Sequence, residues 1–266
     1  MIRLTAIGLL LSLSTLTARE PVLNYADSLD PDVSVTIIYN NYHDDASLET
    51  DWGFACLVDY QDQPLLFDAG RNPVIFRNNV KHLEISPEKI SSFFLSHGHS
   101  DHTAGMRWIT ETNPSVKCYL PATYAEDLKA NGKLHSNCTG LSEPTHLYGP
   151  FYSTGDNFGS FKEQGLIIKT EDGGVLITGC GHPGIIEMVS VAKEDLGIQV
   201  HSVIGGLHLL QTPDEEVEKI AAELQQMGVK KICPTHCTGD KAMAVFKEAF
   251  GDGYMDCGTG SSINIK

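Results

Sequence analysis

Basic residues are scarce in this chain of 266 residues: 19 Lys and Arg stand against 34 Asp and Glu, a formal net charge of −15 at pH 7. Binding to a phosphate backbone draws most of its affinity from Lys and Arg, so the composition argues against a nucleic-acid partner and leaves a small molecule as the expected one. Long apolar runs are also missing. Beyond residue 20 none approaches the ~20 residues a membrane span requires, so the mature chain is expected to have no stable membrane partner. No Pro-, Ser- or charge-rich stretch divides the chain and no fixed-period repeat runs through it. With 41% hydrophobic residues, one domain over residues 19–266 is the simplest organisation.

The exception to the missing apolar runs is the N-terminus. Residues 1–18 begin with Arg3, run through LTAIGLLLSLSTLT and end at Ala18 before Arg19-Glu20. A positive start, a short apolar stretch and a small residue at the end predict a signal peptide and a secreted or periplasmic protein, although Leu16 is large for its place before the cleavage point. Seven cysteines fit an oxidising compartment. Their odd number leaves at least one thiol unpaired. Cys118 in an expected strand and Cys138 in an expected loop are the best candidates for a disulfide, and Cys180 for a free thiol.

The string SHGHSDHTAGM, Ser96 to Met106, places His97, His99, Asp101 and His102 within six positions. Imidazole and carboxylate donors suit Zn²⁺, Fe or Mn²⁺ better than Ca²⁺ or Mg²⁺. Ser91 to Leu95 just before them reads as a short buried strand, so the cluster sits at a strand end, where a sheet presents polar side chains. His97 and His99 point to one side of an extended segment and can reach one ion. Asp101 and His102 follow the turn and can face a second.

The flanking sequence alternates strand and helix patterns. Val33 to Tyr39, Phe54 to Val58 and Pro64 to Phe67 read as strands, the last two antiparallel. Ile75 to Leu83 reads as a helix, and Ser86-Pro87-Glu88 as a helix start. Strands are expected at Val116 to Leu120, Leu166 to Thr170, Val175 to Thr178, Ser202 to Ile204 and Lys231 to Cys233. Helices are expected at Ala122 to Ala130, Ile185 to Leu196, Glu215 to Met227 and Lys241 to Phe250. A strand-rich first half and an alternating second half predict an α/β protein of two packed sheets with helices outside.

The H-x-H-x-D-H cluster resembles the signature of the metallo-β-lactamase superfamily of metal-dependent hydrolases. Glu163-Gln164 before a strand, TGCGHPGI (Thr178 to Ile185), IGGLHL (Ile204 to Leu209) and PTHCTG (Pro234 to Gly239) resemble one branch, that of the archaeal dihydropterin-ribofuranosylaminobenzene phosphate synthases. The resemblance covers nearly the whole chain after its first thirty or so residues. It implies the four-layer αββα sandwich, and for Asp68, closing the third strand, a role supporting the metal loop by hydrogen bonding.

The resemblance also implies the other half of the site. Where many superfamily members carry a metal-bridging aspartate, this chain has Cys180 between two glycines, and its role as a ligand stays open. The histidine usually found between the first cluster and this strand has no convincing counterpart, since His135 and His146 lie in loop-like segments; His182 takes its place. The implied ligands are then His97, His99 and His182 for one ion and Asp101, His102 and His236 for the other. His208 is left to contact substrate or support a ligand, and His43, His82 and His201 are structural. The expected activity is hydrolysis of a small-molecule ester, lactone, amide or phosphoester by a water activated by two divalent transition-metal ions, Zn²⁺ first and Fe or Mn²⁺ as substitutes. Asp101 would orient that water and His208 would meet the substrate. A synthase-like transferase and a non-catalytic metal-binding protein are the alternatives. Thr238-Gly239 and Gly258-Thr259-Gly260 are open to two readings, as amides for a substrate anion or as caps and turns. The loops that set substrate choice, Thr139 to Phe161 above all, carry no readable code.

Overall fold

Side chains of successive strand residues point to opposite faces, and here both faces are apolar. In β10 (Gly173–Thr178), Val175 and Ile177 enter one buried cluster while Leu176 enters another. The same division holds in β9 (Leu166–Thr170), where Leu166 and Ile168 face one way and Ile167 the other. Strands buried on both sides need a layer against each face. The computed structural model, which describes residues 33–159 and 161–265, supplies those layers. The expected signal peptide, residues 1–18, lies outside the described residues.

One sheet has the order β13-β1-β2-β3-β4-β5-β6, from β1 (Val33–Tyr39), β2 (Ala55–Tyr60), β3 (Leu65–Phe67), β4 (Ser92–Phe94), β5 (Lys117–Pro121), β6 (Cys138–Leu141) and β13 (Ser262–Ile265). The other has the order β12-β11-β10-β9-β8-β7, adding β7 (Thr145–Tyr148), β8 (Phe151–Ser153), β11 (Val200–Gly206) and β12 (Lys231–Thr235). Between the sheets, Val35, Val58, Phe67 and Phe94 meet Ile168, Ile177, Ile204 and Cys233. Outside the first sheet lie α1 (Pro73–His82), α2 (Ser100–Thr103), α3 (Met106–Thr112) and α4 (Ala122–Ala130), with Phe76, Val80, Ile109 and Ala125 in its outer core. Outside the second lie α5 (Ile185–Glu194), α6 (Asp214–Gln226) and α7 (Asp240–Phe250). This is the expected αββα order.

Local chemistry accounts for these helices. The Asn72 side chain accepts from Val74 N at the start of α1, Pro73 occupies its first turn, and Lys81 and His82 lie in its last. In α6 the buried Val217, Ala221 and Leu224 form one stripe at helical spacing, and Asp214, Glu215 and Glu216 sit at its N-terminal end. No helix among the described residues is long and apolar enough to cross a membrane.

Two expectations need correction. The disulfide joins Cys233 to Cys257, while Cys118 and Cys138 are free thiols. Those two are nonetheless register partners across the parallel β5–β6 pair. The Thr139 to Phe161 stretch is not all loop, because β6, β7 and β8 occupy much of it and extend the edges of both sheets. Of the two readings left open for Gly258-Thr259-Gly260, the turn holds, since Thr259 N donates to Tyr42 O, Gly260 N to Ile37 O and Gly258 N to Ser261 Oγ. The Thr238 hydroxyl donates to Thr235 O and accepts from Leu207 N.

What positions the site is strand direction. The pairs β3–β4, β4–β5, β10–β11 and β11–β12 are parallel, so their C-terminal ends share one rim, where open α/β sheets place their ligands. Asp68 follows β3, the histidine cluster follows β4, and Cys180, His208 and His236 follow β10, β11 and β12.

Candidate metal centre

The loop after β4 turns at Gly98 and enters α2, which carries Asp101 and His102 on a single helical turn. His97 and His102 are buried, Asp101 is half-buried and His99 is exposed. His97 Nε2 lies 3.1 Å from His99 Nδ1, and the His97 ring packs edge-on against His182 at 4.9 Å between centroids. His97, Cys180 and His182 each offer a donor atom within 4.8 Å of the others. Asp101, His102, Cys180 and His236 form a second such group. Cys180 Sγ belongs to both, and the His97 and His102 rings, 4.3 Å apart, join them. Every residue expected to ligate a metal is therefore gathered at one rim.

Three of the imidazoles, His97, His102 and His236, are oriented by a hydrogen bond on the far side of the ring, an arrangement that fixes tautomer and direction in metal sites. His102 Nδ1 donates to Asp68 Oδ2 at 2.7 Å, leaving Nε2 3.7 Å from Asp101 Oδ2 and 3.3 Å from Cys180 Sγ. His97 Nδ1 donates to Ser96 Oγ at 2.9 Å, and that hydroxyl donates to Asp68 Oδ2 at 2.7 Å. His236 Nδ1 donates to Asn41 Oδ1 at 2.9 Å, while Asn41 Nδ2 returns a bond to His236 O. His236 Nε2 then faces Asp101 Oδ2 at 3.5 Å. Asp68 thus has the supporting role expected of it.

Whether this donor set fits a metal ion can be judged from two atoms. His182 Nε2 and His236 Nε2 are buried with no hydrogen-bond partner. A buried, unpaired ring nitrogen costs about 1–3 kcal/mol, and coordination to an ion removes that cost. One such atom lies in each group, and the soft sulfur of Cys180 beside imidazoles suits Zn²⁺. The donors fit.

Electrostatics follows from burial and pairing. Burial holds the His97 imidazole well below the usual histidine range, and burial with the charges of His208 and His99 brings His182 down to about 3. Both are neutral, as ligands must be. For His102 burial acts in the same direction, but the charge and hydrogen bond of Asp68 outweigh it and raise the imidazole. Burial works against the Asp101 carboxylate, yet the neighbouring imidazoles of His236 and His102 hold it well below the usual carboxylate range. Cys180 and Cys237 share a hydrogen bond that pulls Cys237 below the thiol range and, with burial, raises Cys180.

Several residues at the site escaped the sequence reading. Glu163, quoted only as part of a resemblance, is fully buried: Oε1 accepts from Cys180 N and Gly181 N, and Oε2 from His182 N, at 2.8–2.9 Å. It shapes the turn that carries both donors, and burial pushes its carboxyl up to about 7 against the pull of those three N–H groups. Trp52 Nε1 donates to Asp101 Oδ2 at 2.9 Å, and its ring packs 4.9 Å from His236. Phe161 lies over His182, 3.9 Å between centroids. Gly179 is needed for the close approach of Ser96: a Cβ there would lie 2.1 Å from Ser96 Oγ. Asp68, His208 and His236 all hold left-handed backbone, with φ of 55°, 55° and 51°, a strain of ~1–3 kcal/mol each that collects at functional sites.

His208 is exposed at the rim, its ring 4.1 Å from that of His182. The other histidines stay away: His43 pairs with Thr50, His82 with Ser47 and His201 with Ser202 and Thr170. His135 and His146 make local contacts with Asn137 and Gly149.

No protein-family model matches the chain. It is 31% identical to the 7,8-dihydropterin-6-methyl-4-(β-D-ribofuranosyl)-aminobenzene-5′-phosphate synthase of Methanocaldococcus jannaschii, over 76% of this chain and 84% of that protein. A solved structure described as a metal-dependent hydrolase of the β-lactamase superfamily superposes with a TM-score of 0.75 at 26% identity, covering 88% of this chain and 99% of that one. A metallo-β-lactamase fold protein from Bacillus subtilis gives 0.64 at 17% identity with the same coverage, a likeness of fold alone.

Proposed function

The chain belongs to the metallo-β-lactamase superfamily, in the branch of the Methanocaldococcus synthase, and from that premise we propose that it is a metal-dependent hydrolase of a small-molecule ester, lactone, amide or phosphoester. The observation that carries the reading is the pair of partnerless Nε2 atoms of His182 and His236, one in each donor group. His97, His99 and His182 would hold one divalent ion, and Asp101, His102 and His236 the other. Bound there, two ions supply Lewis acidity, polarising a substrate oxygen and lowering the pKa of a water from 15.7 toward ~7.

The protein's own part is orientation. Asp101, kept ionised by His236 and His102, aims its charge into the site, and the Trp52 N–H fixes the carboxylate that would align the attacking water. Phe161 and Trp52 cover the imidazoles from two sides and restrict access of bulk water. His208 is the exposed side chain that a substrate would meet first. The excess of acidic residues supports a small substrate over nucleic acid.

A synthase-like reaction is favoured by one observation, the 31% identity to a protein of that name. A turnover screen of metal-replete protein against ester, lactone, β-lactam, phosphodiester and dihydropterin substrates separates the readings. Hydrolysis that a chelator abolishes and added metal restores supports the proposal; chelator-insensitive hydrolysis, or condensation of the pterin substrate alone, overturns it. The signal-like residues 1–18 lead us to place the reaction outside the cytosol. N-terminal sequencing of protein from its native host should find a start near residue 19, and a soluble cytosolic chain beginning at Met1 would contradict this.

A further inference from the structure

Three adjacent parallel strands each deliver a metal-ligating side chain at the same offset. β10 ends at Thr178, β11 at Gly206 and β12 at Thr235, and two residues beyond these ends stand Cys180, His208 and Cys237. The register pairs Thr178 with Gly205 and Gly206 with Thr235, so the three strand ends lie side by side. They are laced together: Thr178 Oγ1 donates to Gly206 O at 2.8 Å, and Leu207 N donates to Thr238 Oγ1 at 3.1 Å. β10 and β12 flank β11, a separation of about two strand spacings, or ~10 Å. Their cysteines nevertheless converge because the residue between them is glycine. A Cβ on Gly206 would lie 2.8 Å from Cys237 Sγ and 3.1 Å from Cys180 Cα.

The outcome is a group whose three donor atoms, two sulfurs and one imidazole nitrogen, all lie within 4.8 Å of one another. It contains no carboxylate. Both cysteines are buried and both are free thiols. His208 is exposed and holds its place with a φ of 55°, a conformation side-chain-bearing residues rarely adopt. Cys237 lies outside both donor groups of the two-ion centre and has no part in the hydrolysis described above.

We propose that Cys180, His208 and Cys237 form a third metal site, selective for a soft ion such as Zn²⁺ or Cu⁺ and sharing the Cys180 sulfur with the hydrolytic pair. Two thiolates and an imidazole select these ions over Mg²⁺, Ca²⁺ or Mn²⁺. Three protein ligands with one of them at the surface leave a coordination position open to solvent or substrate, as catalytic rather than structural zinc sites do. His208 then meets the substrate through an ion rather than by its own ring N–H, and these two roles exclude each other.

Equilibrium dialysis of the reduced full-length protein against Zn²⁺, and in parallel against Co²⁺, tests this in wild type, Cys237→Ser, His208→Ala and His236→Ala. Wild type should hold about one ion more than Cys237→Ser or His208→Ala, and the near-ultraviolet thiolate-to-Co²⁺ absorption should fall by about half in Cys237→Ser. His208→Ala, altering an exposed side chain, decides the matter if Cys237→Ser does not fold. Wild-type stoichiometry in both variants overturns the third site. If His236→Ala alone loses an ion, the hydrolytic pair stands without the third site; if only Cys237→Ser and His208→Ala lose one, the third site stands and the hydrolytic pair fails.

Discussion

His102 donates from Nδ1 to Asp68 Oδ2 at 2.7 Å with both side chains fully buried, and the same carboxylate holds Ser96 through its backbone N–H and hydroxyl. One aspartate therefore orients His102 directly and His97 through Ser96, so both donor groups depend on it. Asp68→Ala should weaken Zn²⁺ binding by about 10–100-fold, the usual effect of removing such a partner. Titration calorimetry against wild type checks this; unchanged affinity would mean that the loop holds its imidazoles by itself.

Trp52 offers a narrower test. Trp52→Phe keeps an aromatic ring against His236 but removes the N–H that Asp101 Oδ2 accepts. Turnover should fall about 10-fold with little change in KM or thermal stability, because an orienting bond is lost while packing is retained. A fall in stability without a change in kcat would make Trp52 a packing residue only.

The two ions should respond differently to acid. Asp68 raises the His102 imidazole, whereas burial lowers those of His97 and His182. Protons compete with a metal for its ligands, and a ligand of higher pKa surrenders its ion at higher pH. As pH falls below about 6.5, the ion of Asp101, His102 and His236 should leave before that of His97, His99 and His182. Zn²⁺ release followed along an acid titration in wild type and His236→Ala would show which step disappears; simultaneous release of both ions would contradict the assignment.

Much of this architecture is legible in the sequence because its signals are periodic. β1, β9 and α4 fall on the expected residues, since alternation and helical spacing are unbroken there. β6 to β8 were not legible: Cys138–Leu141 and Thr145–Tyr148 are short edge strands of mixed exposure and lack the apolar run of a buried strand. The cysteines illustrate a different limit. Cys118 and Cys138 are indeed neighbours across β5 and β6, but proximity is not bonding, and no sequence pattern ties Cys233 to Cys257.

At the site, the recurrence of apolar strand, break and histidine marked the donors after β4, β10, β11 and β12, because parallel strands deliver residues to one rim. Asn41 and Trp52 reach the same rim from the loop between the antiparallel β1 and β2. Nothing in their local sequence distinguishes them from ordinary loop residues. The spacing of Glu163 from the Cys180 turn was equally mute, since a carboxylate that accepts three backbone N–H bonds leaves no mark except in three dimensions.

If His236 and Asp101 hold an ion, hydrolysis depends on both residues together. Zn²⁺ content and turnover should be measured together in His236→Ala. This variant should hold about one ion fewer per chain than wild type and lose turnover at least ~100-fold, because the ion that positions the water and the residue that anchors it are lost at once. Wild-type metal content with wild-type turnover would contradict His236 as a ligand.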